Sequence, residues 1–134
     1  MRYADIHTHI LFGVDDGPSD IEEMRKLIEL SYEDGARILC ATPHMRPEFW
    51  GDPSEAVRRA FAEASSYVQQ TFPDMQLFLG SEIRYHQNCL QWIQEGRCSS
   101  INGGRYILLE FSDQVIPEQI TDACRRVLQK VIYR

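Results

Sequence analysis

The chain has 134 residues, 43% of them hydrophobic and 25% charged, which suits one globular domain with one core and excludes two. A net charge of −6 without a basic stripe argues against a nucleic-acid partner. No apolar run approaches the roughly 20 residues of a bilayer span. Asp5, His7 and His9 stand where a signal peptide would carry its apolar centre, so no membrane insertion and a cytoplasmic location are expected.

In chain order, Tyr3 to His7 reads as a short strand. Pro18 and Ser19 open a helix, with Ser19 and Glu22 in capping-box spacing. Ile21, Met24, Leu27, Ile28 and Ser31 line one helical face, and Gly35 is placed to end it. Arg37 to Thr42 is a buried-type strand closed by Pro43. Asp52-Pro53-Ser54-Glu55 starts a second helix, with Pro53 at its first position and Val57, Ala60, Phe61, Ala64 and Val68 as its apolar stripe. Met75 to Leu79 is a third strand, leading into Gly80-Ser81-Glu82. A short helix follows over Asn88 to Gln94. Tyr106 to Phe111 is a fourth strand, and Ile116, Ile120, Ala123 and Val127 mark a last helix. Strands alternating with helices predict an α/β fold, about four βα units of a parallel sheet in a single domain over 1–134. Four units cannot close a barrel, so an open edge is expected.

Metal-competent side chains recur at the carboxyl ends of these strands, where parallel α/β folds collect ligands. His7 and His9 alternate and so share a face. The next loop holds Asp15-Asp16-Gly17; His44, Glu82 and Glu110 close the following three strands. Taken singly, each such residue is more often structural or solvated. Jointly they interrupt apolar stretches four times, and burying Glu82 and Glu110 without counter-charge would cost several kcal/mol. A multi-metal site follows, and its mixed imidazole and carboxylate donors suit Mn, Fe or Zn better than Ca. Cys40, Cys89, Cys98 and Cys124 form no C-x-x-C pair and read as free thiols. Six residues separate Cys98 from Arg105, where the phosphate-cradling cysteine loop has five, so a cysteine nucleophile is rejected.

The segment Asp5-Ile6-His7-Thr8-His9-Ile10-Leu11-Phe12-Gly13-Val14-Asp15-Asp16-Gly17-Pro18 resembles the opening motif of one family. This family is the bacterial manganese-dependent tyrosine-protein phosphatases of the PHP (polymerase and histidinol phosphatase) superfamily, encoded with capsule and exopolysaccharide genes. Ala41-Thr42-Pro43-His44, Gly80-Ser81-Glu82-Ile83 and Leu108-Leu109-Glu110-Phe111 resemble its next three blocks, in order, and the likeness runs to about Gln129. The resemblance implies a partial PHP-type distorted βα barrel with up to three divalent ions. By it, His7 and His9 bind one ion, Glu82 bridges to a second that Glu110 also ligates, and Asp16 and His44 bind the third. It implies manganese as cofactor, with iron or zinc as substitutes. The implied substrate is a phosphotyrosine protein, in the first place a bacterial tyrosine kinase of polysaccharide synthesis. Arg46 and His86 are candidates to face that substrate. Asp15 reads as a turn residue. Glu22, Arg25 and Lys26 either follow a first-helix pattern of oligomer contacts or are ordinary solvated charges.

Family members continue with a His-Pro-Glu-Arg block and a later Asp-x-His segment. The chain therefore carries six of nine family ligands and reads as an apparently truncated PHP-like domain with impaired activity. The tail Val131-Ile132-Tyr133-Arg134 is what a Gly-Tyr-Ile-Pro coding stretch yields when read one base late, which predicts a frameshift. The downstream DNA tests this: it should contain the His-Pro-Glu-Arg block out of frame. Two other readings stand beside the phosphatase: another PHP phosphoesterase such as a histidinol phosphatase, and a non-catalytic remnant that binds metal or self-associates into a homo-oligomer through its open edge.

Overall fold

The computed structural model describes residues 1–46, 53–86, 88–114 and 116–131. β1 (Tyr3–Thr8) pairs in parallel with β2 (Ala36–Ala41), which pairs in parallel with a strand at Gln76–Leu79. After two intervening residues β2 is followed by a further strand, β3 (His44–Met45), so the Gln76–Leu79 strand is β4. β3 pairs in parallel with β5 (Glu82–Arg84), and β5 with β6 (Leu108–Glu110). The expected parallel α/β arrangement is present. The four expected strands become six, in two sheets ordered β1-β2-β4 and β3-β5-β6, and among the described residues they do not close into a barrel.

The split has a local cause. Pro43 has no N–H to give a ladder. Gly80 sits where an added Cβ would lie 3.2 Å from Thr42 Cγ2 and 3.3 Å from Cys40 Sγ, so the chain turns there in tight contact with its neighbour. Backbone bonds from Gly80 N to the Ala41 carbonyl (2.8 Å) and from Glu82 N to the Pro43 carbonyl (3.0 Å) stitch the two sheets across the bend. His44 and Glu82 therefore open the strands of the second sheet, in register with each other, and do not close those of the first as the sequence suggested.

Helix α1 (Ile21–Asp34) begins one residue later than the capping-box spacing predicts. Asp20 is the cap, accepting from the backbone N–H groups of Glu22 and Glu23, while the Ser19 N–H and hydroxyl donate to Glu23 Oε2. Gly35 ends the helix at φ 114°, with its N–H on the Ser31 and Tyr32 carbonyls. Met24 and Ile28 are fully buried, whereas Leu27 is exposed, so the buried face is narrower than expected. Helix α2 (Ser54–Thr71) buries Val57, Ala60, Ala64 and Val68 of the predicted stripe, and Phe61, its fifth member, is partly buried against the same core. Pro53 lies just before its first residue, and Asp52 falls outside the described residues. Short α3 (Cys89–Gln94), a 3₁₀ turn (Ile101–Gly103) and α4 (Pro117–Val131) complete the order; α4 buries Ala123 and Val127, while Ile116, expected to mark this helix, lies just before it and is exposed.

Two apolar cores result. The first joins Met24 and Ile28 to Leu39, Ala64 and Val68, and draws in Ile10, Leu11 and Val14 from the loop after β1. Burying those three loop residues is what fixes the acidic residues that follow them. The second core comprises Met45, Ile83, Cys89, Trp92 and Cys98. All four cysteines are free, and burial pushes the Cys40 and Cys89 thiols up, away from the thiolate form. No helix of the described residues is long and apolar enough to cross a membrane.

Candidate metal centre

The six side chains singled out in the sequence converge. Glu82 Oε2 stands at the hub, 3.2 Å from His7 Nε2, 3.1 Å from His9 Nε2 and 3.0 Å from His44 Nδ1. His7, in β1, and His9, one residue past its end, bring their Nε2 atoms to 3.2 Å. His44 Nε2 lies 3.5 Å from Asp16 Oδ1, and His44 Nδ1 lies 3.6 Å from Glu110 Oε2. Three overlapping triads form: His7, His9 and Glu82; His9, Asp16 and His44; His44, Glu82 and Glu110. Within each, the donor atoms lie within 4.8 Å of one another.

The donor set fits divalent cations. Glu82 Oε2 is buried and accepts no hydrogen bond of ordinary geometry, although imidazole nitrogens surround it. A buried carboxylate oxygen so placed needs positive charge, and a cation supplies it for every donor in the cluster at once. His7 is the most open of the imidazoles, with 43% of its side chain exposed, so the cluster can be reached from solvent.

Asp15 is the turn residue the sequence suggests, but it does more than turn the chain. Its side chain is fully buried, accepting from His9 Nδ1 at 2.9 Å, His44 N at 3.0 Å and Gly17 N at 3.0 Å. Burial pushes its carboxyl up, but these hydrogen bonds and the His9 charge outweigh burial and hold it below the ordinary carboxylate range. His9 is raised in turn, first by the bond to Asp15, against burial, with the charges of Asp15, Glu82 and Asp16 adding. Its neighbour Asp16 is mostly exposed and turns an oxygen toward His44.

Arg46, a candidate for substrate contact, engages Glu110: Nε donates to Oε2 at 2.9 Å and a terminal nitrogen grips Oε1. Arg84, which the sequence reading passed over, donates to Glu110 Oε1 at 2.8 Å. Its position two residues after Glu82, on the same strand face, was the available signal. Burial pushes the Glu110 carboxyl up, but the two guanidinium groups and His44 bring it below its usual value. His86 lies outside the three triads: its Nδ1 accepts from Asn88 N at 3.0 Å and its ring packs edge-on to Trp92 at 4.1 Å.

Residues 3–133 match the family described as capsular polysaccharide synthesis, CpsB/CapC. The tyrosine-protein phosphatase CpsB of Streptococcus agalactiae is 34% identical over 124 residues, covering 92% of this chain and 51% of that protein. The putative tyrosine-protein phosphatase CapC of Staphylococcus aureus is 32% identical, over 85% of this chain and 45% of that protein. A solved structure from work on YwqE of Bacillus subtilis and CpsB of Streptococcus pneumoniae, described as unique metal-dependent tyrosine phosphatases, superposes with a TM-score of 0.82 at 26% identity. It covers 96% of this chain and 52% of that one. The chain thus spans about half the length of the relatives it matches. A family match over nearly every residue, and relatives above 30% identity along most of its length, make this chain a member of the CpsB/CapC family of capsular polysaccharide synthesis.

Proposed function

We propose that the chain is a metal-dependent phosphatase that hydrolyses phosphotyrosine on proteins and so regulates polysaccharide synthesis. The observation that carries this reading is the set of three overlapping donor triads around Glu82 Oε2. The names of the relatives support the substrate class. His7, His9 and Glu82 would hold one cation, Glu82 and Glu110 a second, and Asp16 and His44 a third, with manganese first and iron or zinc as alternatives. When bound, such cations lend positive charge to phosphoryl oxygens and lower the pKa of water. The chain's own part is to converge these donors and to keep Arg46, held on Glu110, beside them as the candidate to face the phosphoryl group. His86 is the weaker candidate for contact with the rest of the substrate. Cys40, Cys89 and Cys98 are buried and stand outside the triads, so none serves as nucleophile. The partner proposed is a tyrosine kinase of polysaccharide synthesis, in the cytoplasm.

The test is hydrolysis of a phosphotyrosine peptide by the purified chain with added Mn²⁺ and with chelator. Chelator-sensitive turnover is expected. A second reading, a metal-binding or self-associating chain without turnover, is favoured by the outer edge of β6, unpaired among the described residues, and by exposed Tyr106 and Leu128. A folded chain that binds Mn²⁺, forms oligomers by light scattering and hydrolyses nothing would replace the first reading with the second.

A further inference from the structure

We propose that Asp15 is a positioning residue: its carboxylate holds His9 as the tautomer protonated on Nδ1, and so aims the Nε2 lone pair into the donor cluster. The inference rests on the metal-centre reading, but its core concerns the metal-free chain.

Asp15 offers two oxygens, and both are committed as acceptors. Oδ1 takes the Gly17 N–H at 3.0 Å; Oδ2 takes the His44 N–H at 3.0 Å and also faces His9 Nδ1 at 2.9 Å. Two of these partners are backbone N–H groups, which can only donate, and an ionised carboxylate can only accept. A bare Nδ1 would then set a lone pair against an ionised oxygen in a fully buried spot, and that repulsion would go unrelieved. Of the two ring nitrogens, Nδ1 meets in hydrogen-bond geometry an acceptor that cannot donate, whereas Nε2 meets His7 Nε2, which can donate to it at 3.2 Å, and lies 3.1 Å from Glu82 Oε2 outside that geometry; the proton therefore sits on Nδ1 and leaves Nε2 bare. That is the form in which imidazole ligates a cation, and a carboxylate on the far nitrogen is the usual means of fixing it.

The same carboxylate joins the two parts of the site. Through the His44 N–H it ties the loop after β1 to the first residue of β3, so two imidazoles are placed by one buried acid. Its neighbour Asp16, 69% exposed at the side chain, is free to serve as a donor. Two adjacent aspartates thus divide the work: one aims, the other ligates.

Two measurements test this. In the wild-type chain without metal, at alkaline pH, long-range ¹H–¹⁵N NMR of labelled histidines should show His9 protonated on Nδ1. Isothermal titration with Mn²⁺ should show Asp15→Asn binding about 10- to 100-fold more weakly than wild type. The amide cannot satisfy all three donors: its NH₂ group must oppose a backbone N–H, or donate to Nδ1 and move the ring proton to Nε2. His9 protonated on Nε2 in the wild type, or unchanged Mn²⁺ affinity in Asp15→Asn, would overturn the proposal. A wild-type chain that binds no Mn²⁺ would instead defeat the metal-centre reading, and the NMR spectrum alone would then decide the role of Asp15. That spectrum also decides if the variant fails to fold.

Discussion

Glu82 concentrates the electrostatics of the site in one atom, because a single buried oxygen faces three imidazoles. Glu82→Gln removes the negative charge while keeping the shape, so the cluster loses its hub. At a Mn²⁺ concentration about 100 times the dissociation constant, the wild-type fold should gain roughly 2.7 kcal/mol from binding. The variant should show little of the accompanying rise in Tm, read by calorimetry with and without the metal; an equal rise in both chains would remove Glu82 from the site. Away from the centre, Asp74 binds the Tyr32 hydroxyl at 2.7 Å and Arg37 Nε at 3.0 Å. The hydrogen bond from Tyr32 leads in holding its carboxyl below the ordinary range, with burial opposing and Arg37 assisting. A carboxyl depressed in the folded state stabilises above its unfolded value, near pH 3.9, and loses that contribution as pH falls through the folded value. Asp74→Asn should therefore lower Tm at neutral pH, with the gap to wild type narrowing below about pH 4; a gap independent of pH in thermal melts would contradict this. The six candidate donors were legible in the sequence because chemistry-bearing side chains broke into apolar stretches, at what read as strand ends. Asp15 was not: an acid beside a glycine in a turn has the same letters whether it faces water or is fully buried. The grip of Arg46 on Glu110 was equally hidden, since it depends on β3 and β6 flanking the same central strand.

At the scale of elements, the loop after β1 is held by its apolar residues and by one close approach. A Cβ at Gly17 would lie 2.4 Å from the His9 carbonyl oxygen and 3.1 Å from Asp15 Oδ1. Gly17→Ala must push backbone against backbone, and the residues displaced are His9 and its buried acid. The expectation is a destabilisation of about 1–3 kcal/mol, in the range of overpacking, together with weaker Mn²⁺ binding. Chemical denaturation and metal titration check both, and a chain with wild-type affinity would show that the loop is not held by this contact. Helices α1 and α2 were readable because their apolar stripes have the helical period and Gly35 supplies the left-handed end. The start of α1 was misread by one residue, as Ser19 and Asp20 are both good caps and only the local bonds choose between them. The division of two strands was missed for a different reason. Pro43 and Gly80-Ser81 look like ordinary strand ends, and nothing in the sequence says that pairing resumes one or two residues later.

For the molecule as a whole, the bend at Pro43 and Gly80 gives the donors two foundations. His7, His9, Asp15 and Asp16 stand on the first sheet and the loop sunk into its core; His44, Glu82 and Glu110 belong to the second sheet, above a separate core. A cation held by His9 and His44, or by His7 and Glu82, would therefore be a rivet through a seam, loaded from both sides. Its consequence is mechanical. With the rivet in place, opening either half costs the bonds of both, and the two cores unfold together; without it, the smaller second core is left to breathe alone. Amide hydrogen exchange should show this as Mn²⁺-dependent slowing in β5 and β6 that exceeds any change in β2. Uniform slowing across both sheets would mean that the seam was already closed.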